Sequence, residues 1–152
     1  MGRVDFYILP PNVTRDRYVC TIANKAWRNG DNVFIQTEDR ETAELLDNLL
    51  WTYNDISFLP HGLYEEDNQE NNPVLIGWNE QIPDNCQVMI NLAEHIPKTA
   101  DHFARIIEIV TSDSKDRQSA RNRYRNYRDR DYELHDHKME DDYGNIQTSR
   151  TS

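Results

Sequence analysis

Residues 3–37 read RVDFYILPPNVTRDRYVCTIANKAWRNGDNVFIQT, and this stretch decides the fold class. Its first seven residues alternate apolar and polar side chains until two prolines end the run, which predicts a strand. Apolar residues then recur at spacings of three and four over residues 15–29, which predicts a helix with Thr14 as N-cap and Gly30 as stop. Residues 32–37 form a second, short buried strand, so the order is that of a parallel βαβ unit.

The same alternation of elements continues along the chain. We predict a second helix, three more buried strands and a last helix over residues 39–50, 73–78, 87–93, 105–110 and 114–129. The fold class is therefore α/β: one domain with a mostly parallel central sheet flanked by helices. The five glycines are scattered and none belongs to a phosphate-binding motif, so we expect neither a functional nucleotide-binding loop nor a cofactor.

Composition sets the expected boundaries and environment. With 152 residues the chain has room for one domain, which we place at residues 1–130. Residues 131–152 are acidic and poor in large apolar side chains, which predicts a mobile C-terminal tail in which His135 and His137 are solvated. Residues 65–72 predict an exposed acidic loop. The absence of a long apolar run indicates a soluble, cytosolic protein without a membrane partner.

Neither cysteine carries a functional motif. Cys20 and Cys86 lie far apart and outside any CxxC spacing, so neither a disulfide scaffold nor a zinc site is indicated. Cys20 falls on the apolar face of the first helix, where it serves as a small apolar residue.

Charge is distributed unevenly, with one basic region in an acidic chain. The formal net charge is -10, yet residues 115–130 contain seven basic side chains against two acids, a local +5, which leaves -15 for the rest. Within this region the stretch RQSARNRYRNYR (117–128) is the core of the last predicted helix. At 100° per residue, a single stripe holds Arg117, Arg121, Tyr124, Arg125 and Arg128. Ala120 and Tyr127 lie beside the stripe, where they can contact the sheet.

Three interpretations of this arginine stripe follow from the residues. It is a solvated face whose arginines form ion pairs, which for four exposed pairs supplies only ~1–4 kcal/mol. It binds single-stranded nucleic acid, although the surrounding negative charge repels long polyanions. Or it binds a short acidic peptide that ends in an apolar residue and a free carboxylate, because arginine forks suit carboxylates and the tyrosine offers an apolar surface.

An enzymatic alternative rests on three acids. Asp5 on the first strand, with Glu38 and Asp39 after the second strand, could meet at one edge of a parallel sheet and hold Mg²⁺ as in a small nuclease. The same Glu38 and Asp39 also have an ordinary role at a helix N-terminus. No histidine or basic partner for such chemistry is spaced nearby.

Several motifs in order resemble one family. FYIL, then AWRNG before NVFIQTED, then LLDNLLW, SFLPH, PVLIGW and ARNRYRNYR resemble the chi subunit of bacterial DNA polymerase III holoenzyme, over about residues 3–130. The resemblance implies a non-enzymatic adaptor of the clamp-loader assembly, with a Rossmann-like fold that has lost nucleotide chemistry. Its implied partners are the psi subunit and the acidic, phenylalanine-terminated tail of single-stranded DNA-binding protein, with little direct DNA binding.

The resemblance also assigns residues by position. Arg121 faces the terminal carboxylate of the tail, Tyr124 walls the pocket for its last side chain, and the tail's aspartates meet Arg117, Arg125 and Arg128. Trp51 and Phe58 match positions that hold psi, or a helicase-like protein that competes for the same face. From the residues alone, both side chains could equally cover the end of the second helix. The resemblance does not account for the acidic segment after residue 130.

Overall fold

The computed structural model describes residues 2–52, 59–64, 72–79 and 81–139. Its elements in chain order are β1 (Arg3–Ile8), α1 (Arg15–Arg28), β2 (Val33–Gln36), α2 (Arg40–Thr52), β3 (His61–Leu63), β4 (Val74–Gly77), β5 (Val88–Asn91), a 3₁₀ helix (Ala100–His102), β6 (Arg105–Val110), α3 (Ser114–Asp129) and β7 (Glu133–Lys138). No helix within these ranges is long and apolar enough to cross a membrane.

The strands form one parallel sheet. Within the described ranges seven strands lie in the order β3-β4-β2-β5-β6-β1-β7, and every neighbouring pair is parallel. Helices α1 and α2 cover one face of this sheet, and α3 covers the other together with the 3₁₀ helix. The predicted α/β fold with its parallel sheet and flanking helices is confirmed.

Local chemistry fixes where the helices begin and end. The Thr14 side chain accepts a hydrogen bond from the Arg17 backbone N–H, and Asp113 accepts one from the Asp116 N–H, so both α1 and α3 have a capped N-terminus. Gly30 follows α1 with φ +90°, a conformation that glycine adopts without strain. The predicted cap and stop of α1 are therefore confirmed.

Strand β7 corrects the predicted tail boundary. The tail was expected to begin at residue 131, but residues 133–138 pair in parallel with β1 and extend the sheet. The two faces of β7 differ, because His137 is buried with its Nε2 hydrogen-bonded to the Asp5 carboxylate, which accepts, while Lys138 on the other face is exposed. The expectation that His137 is solvated is wrong. Residues 140–152 lie outside the described residues, and their assignment as a tail stays a prediction.

Strand β3 was also not predicted. It lies inside the aperiodic stretch after α2, where three residues pair with β4 at the edge of the sheet. A three-residue strand is too short to show alternation in the sequence. Most of the predicted acidic loop, residues 65–71, lies outside the described residues.

Candidate functional site

The candidate site lies beside two neighbouring strands whose following helices lie on opposite faces of the sheet. Strands β1 and β6 are neighbours, yet the chain leaves β1 for α1 on one face and leaves β6 for α3 on the other. In open parallel sheets, ligands bind at the carboxyl ends of strands beside such a switch point. The carboxyl ends of β1, β6 and β7 meet the first half of α3 here.

A groove of ≈240 Å³ occupies this position, between α3 and the sheet. Its floor is apolar and is formed mainly by Phe6, Ile8, Val110 and Ala120. Its rim carries charge, from Arg117, Arg121, Asp136 and Lys138, and Tyr124 forms the remaining wall. The groove therefore combines an apolar slot with a rim of three basic groups and one acid.

Three of the five residues of the predicted arginine stripe line this groove. They are Arg117, Arg121 and Tyr124. Arg125 and Arg128 lie further along α3 and do not line it, although both are exposed on the same side of the helix. The groove is therefore one end of a longer basic surface.

The guanidinium groups of the stripe are weakly engaged. Arg128 lies 3.8 Å from its neighbour Asp129, and Arg125 donates to the Asn122 side chain over 3.5 Å. Arg117 donates to the Thr111 carbonyl over 3.4 Å. Among the described residues, no side chain forms an ion pair or hydrogen bond with Arg121. These cations are accordingly available to an external anion.

Tyr124 belongs to the core and to the groove at once. Its ring is partly buried, with its centroid 5.2 Å from that of Phe6, a tilted contact that fixes the ring. The rest of the ring faces the groove. A fixed aromatic wall can accept an apolar side chain at little entropic cost.

A buried polar network holds α3 against the sheet. Arg123 donates from Nε to Glu108 on β6 over 2.9 Å, and Tyr127 and Asn91 donate to the other carboxylate oxygen over 2.7 and 2.9 Å. Arg123 also donates to the Glu94 carbonyl over 2.9 Å. Burial raises the pKa of Glu108, and attraction to Arg123 together with these hydrogen bonds offsets that rise in part. The network sets the rotation of α3 and with it the direction of the arginine stripe.

The role of Arg123 was not predicted from the sequence. Two signals pointed to it: Arg123 shares the inner side of α3 with Ala120 and Tyr127 at spacings of three and four, and Glu108 interrupts an otherwise apolar strand. An acid in a buried strand requires a partner, and an inward-facing arginine supplies one. The groove floor could have been found from the alternation of Phe6 and Ile8 on β1.

The three acids of the enzymatic alternative do not meet. Asp5 pairs across the sheet with Ile107, and Ile107 with Ile90, which is beside Ile35 on β2. Three strand spacings of about 4.8 Å therefore separate Asp5 from β2, or roughly 14 Å. Within the described ranges, no group of three His, Cys, Asp or Glu side chains is arranged to hold a metal.

Each of these acids has another partner. Asp5 is fully buried and accepts hydrogen bonds from Arg3 and Arg105, and its Oδ1 lies 2.8 Å from His137 Nε2. Burial opposes ionisation of Asp5, but the hydrogen bonds from Arg3, His137 and Arg105 outweigh it and lower its pKa. Asp39 accepts from the Thr42 N–H at the start of α2, and Glu38 from the Glu94 N–H. The geometry contradicts the Mg²⁺ site of the enzymatic alternative.

The opposite flank of α3 carries a second groove of different character. Its volume is ≈400 Å³, and its lining on α3 is polar, with Gln118, Asn122 and Asn126, followed by Arg130 just after the helix. Among the residues that the structure describes, Ile96 is the one large apolar side chain in its lining. It offers many hydrogen-bonding groups but no slot for an apolar side chain.

A second surface lies on α2, away from the groove. Trp51 is 55% exposed, and its ring centroid lies 4.2 Å from that of the buried His61. His61 is fixed by the Leu59 and Asp47 carbonyls, at 2.7 and 3.1 Å from its two ring nitrogens. Trp51 is thus an exposed aromatic side chain on a rigid support. Phe58, its predicted companion, lies outside the described residues.

The parallel sheet with helices on both faces defines a class, the Rossmann-like α/β domain, and this domain carries an apolar groove with a basic rim and an exposed Trp51. A family model described as DNA polymerase III chi subunit, HolC, matches residues 1–135. The chain is 37% identical over 142 residues to DNA polymerase III subunit chi of Pseudomonas aeruginosa, which covers 91% of this chain and 98% of the relative. It is 33% identical to the subunits of the same name from Haemophilus influenzae and Escherichia coli, over 81% and 84% of this chain and 88% and 92% of theirs.

The chain belongs to the DNA polymerase III chi subunit family. The resemblance inferred from the sequence motifs is confirmed. Its relatives are named as subunits of the polymerase, which supports an accessory role in DNA replication and association with the polymerase III holoenzyme.

Proposed function

We propose that this protein is a non-catalytic adaptor that links the clamp loader, through the psi subunit, to the acidic C-terminal tail of single-stranded DNA-binding protein. The observation that carries the proposal is the groove beside α3. It joins an apolar floor to a basic rim in a chain of net charge -10.

The size of the groove favours a single large side chain. Pockets for drug-sized ligands and cofactors measure about 300–1,000 Å³, whereas this groove measures ≈240 Å³. A phenylalanine ring placed against Tyr124 and Phe6 buries apolar surface worth ~1.5–3 kcal/mol. The carboxylate of the same terminal residue then lies within reach of Arg121, and Arg117 and Arg125 meet acids further up the tail.

Charge selects against long nucleic acid. The basic surface is a stripe along one helix, while the rest of the chain is strongly negative and repels a polyanion that extends beyond the stripe. Binding by a short acidic peptide avoids that repulsion. Direct binding of single-stranded DNA by α3 is the second candidate function, and the four exposed arginines of the stripe are what favour it.

The test is fluorescence anisotropy with a labelled acidic peptide that ends in Pro-Phe. Arg121→Ala should weaken binding roughly tenfold to a hundredfold, because a hydrogen bond to a charged group contributes about 1.5–3 kcal/mol. Amidation of the peptide carboxylate should weaken binding to the same extent. Arg28→Ala is the matched control, since Arg28 is also exposed but lies at the end of α1 on the opposite face of the sheet.

The two candidate functions predict different results in this assay. Binding of single-stranded DNA with a steep salt dependence, combined with no binding of the peptide, would support the nucleic-acid function and reject the adaptor. Equal loss of peptide affinity in Arg121→Ala and Arg28→Ala would show that net charge alone attracts the peptide. The peptide would then not be bound specifically in the groove.

For the psi subunit we propose Trp51 and Phe58 as anchors, on the face that a helicase-like protein would also use. Trp51 supports this proposal because large exposed aromatics on rigid supports are typical interface anchors. In co-elution with purified psi, Trp51→Ala should weaken the complex at least tenfold. Leu45→Ala is the matched control: Leu45 is 65% exposed on the same helix but about 120° around it. An equal effect of both substitutions would contradict the assignment.

A further inference from the structure

The chain leaves the sheet at the mouth of the groove. β7 ends at Lys138, whose side chain lines the groove, and the next backbone N–H, that of Met139, donates to the Ile8 carbonyl over 2.9 Å. The described residues end there, and 13 more follow, residues 140–152. This segment therefore starts beside the groove rather than at a distant edge of the domain.

The chemistry of that segment matches the groove. It reads EDDYGNIQTSRTS, so three acids are followed at once by an aromatic residue, Tyr143. Three acids and one arginine give it a formal charge of -2. The groove presents Arg117, Arg121 and Lys138 against Asp136, a formal +2, above an apolar floor. Segment and groove are thus complementary in both charge and apolar content.

Distance permits the contact without strain. An extended chain spans about 3.3–3.6 Å per residue, so the four steps from Met139 to Tyr143 cover up to roughly 14 Å. Arg117 and Arg121 are separated by about 6 Å along α3. Both lie in the half of the helix that starts at the same sheet edge where β7 ends. Because Lys138 already lines the groove together with Arg117, Arg121 and Tyr124, a segment with this reach is long enough to lie in the groove.

We propose that residues 140–152 of this chain fold back into the groove, with their acids at Arg117 and Arg121 and Tyr143 beside Tyr124, as an autoinhibitory contact. Where the groove binds an external acidic peptide, as proposed above, that peptide has to displace the segment. The family model ends at residue 135, so the segment lies in a part of the chain that the model does not match, while Arg117, Arg121 and Tyr124 lie within the matched part.

The size of the effect follows from tethering. A short flexible connection holds the segment at an effective concentration in the millimolar range. A contact with intrinsic affinity in the same range then leaves the groove free for a half to a tenth of the time. The affinity for an external peptide is lowered by that fraction, about twofold to tenfold.

A spin label tests the contact directly in the full chain. Gly144→Cys places a nitroxide next to Tyr143, and the two native thiols do not compete, because burial raises the pKa of Cys20 and of Cys86 to about 12. We expect strong, dilution-independent broadening of the amide signals of Ala120, Arg121 and Tyr124. A matched labelled chain with E140Q, D141N, D142N and Y143A should lose that broadening.

Other outcomes overturn the proposal. Sharp signals at these three positions would show that the segment does not reach the groove. Equal broadening in the neutralised chain would show that any tether of this length brings the label close, without recognition. Broadening that falls on dilution would assign the contact to a second copy of the chain.

Peptide titration separates this inference from the proposed function. In the anisotropy assay, the unlabelled chain with E140Q, D141N, D142N and Y143A should bind the Pro-Phe peptide about twofold to tenfold more tightly than the unaltered chain. If neither chain binds the peptide, the proposed function is rejected. The spin-label broadening of the amide signals still tests whether residues 140–152 contact the groove. If both bind equally, the segment does not compete and the autoinhibitory contact is rejected.

Discussion

Arg121 and Arg123 are two residues apart on α3 and have opposite surroundings. Arg121 is exposed at the rim of the groove and has no partner among the described residues, whereas Arg123 is 5% exposed and bound to Glu108. Two residues correspond to 200° around a helix, so neighbouring arginines point to solvent and to the core. The difference teaches that arginine count does not measure the charge available to a ligand. Four guanidinium groups are presented outward, and the fifth holds the helix that presents them.

The largest predicted effect is on stability, at the buried member of the pair. Arg123→Ala leaves the fully buried Glu108 without its cation, which should lower the free energy of unfolding by about 3–5 kcal/mol. Urea denaturation monitored by circular dichroism measures this loss. Arg123→Met combined with Glu108→Gln removes both charges and keeps an acceptor for Tyr127 and Asn91, so it should recover part of the loss. A loss below about 1 kcal/mol in Arg123→Ala would mean that the ion pair does not hold α3.

The second prediction compares the buried carboxyls on the two faces of the sheet. The pKa of Asp5 is lowered from 3.8, so its contribution to stability is complete above that pH and is lost as the pH falls through its folded-state pKa. The pKa of Glu108 is raised from 4.5, so its ionisation costs stability as the pH rises above that value. The two groups therefore give the pH dependence of stability opposite signs.

Urea unfolding from about pH 7 to about pH 2 checks these signs. The stability advantage of the unaltered chain over Asp5→Asn should shrink below pH 3.8, with a slope of at most about 1.4 kcal/mol per pH unit. In the unaltered chain the free energy of unfolding should decline as the pH rises above 4.5, because Glu108 ionises there at a cost. Glu108→Gln should remove this decline. An advantage over Asp5→Asn that stays constant down to about pH 2 would contradict the assignment for Asp5.

A smaller effect is expected at the start of α3. Asp113→Ala removes the side chain that accepts from the Asp116 N–H over 3.1 Å, which should cost about 1 kcal/mol of stability. Asp113→Asn keeps an acceptor and should recover most of that loss. Thermal unfolding of the two variants measures these losses of stability. An equal loss in both would mean that the negative charge of Asp113, and not its capping hydrogen bond, stabilises the helix.

The smallest predicted effect completes the comparison. Arg121→Ala should change the free energy of unfolding by no more than about 0.5 kcal/mol, because the side chain is exposed and unpaired within the described structure. The same substitution is expected to weaken peptide binding strongly. A stability loss similar to that of Arg123→Ala would erase the distinction between the two arginines.

The sequence allowed prediction of elements whose periodicity is strong. Strand 105–110 and helix 114–129 were placed at their observed ends, because an apolar run and a regular inner stripe mark them clearly. Strand β7 was missed because half of ELHDHK is charged, and its pairing depends on Asp5, which is 132 residues away from His137 in the chain. Long-range polar contacts of this kind leave no local pattern.

The part of the candidate site that lies on α3 could also be predicted from the sequence. The helix period alone grouped Arg117, Arg121 and Tyr124, and the structure places all three around one groove. Most of the floor and the other two charged groups come from strands, with Ile8 on β1 and with Asp136 and Lys138 on β7. Their proximity is a result of strand order, which the sequence alone did not specify.

The position of β1 in the sheet has a consequence for synthesis of the protein. Arg3 is paired with Arg105 on one side and with Glu133 on the other, so both neighbours of the first strand come from the last third of the chain. At about 5–20 residues per second, a ribosome needs roughly 6–26 s to make residues 4 to 133. Until residues 105–110 are made β1 has neither of its neighbours, and its second hydrogen-bonding edge stays open until β7 follows. The sheet around β1 is therefore completed only after residue 138 has been made, and β1 needs protection from other unpaired strands until then.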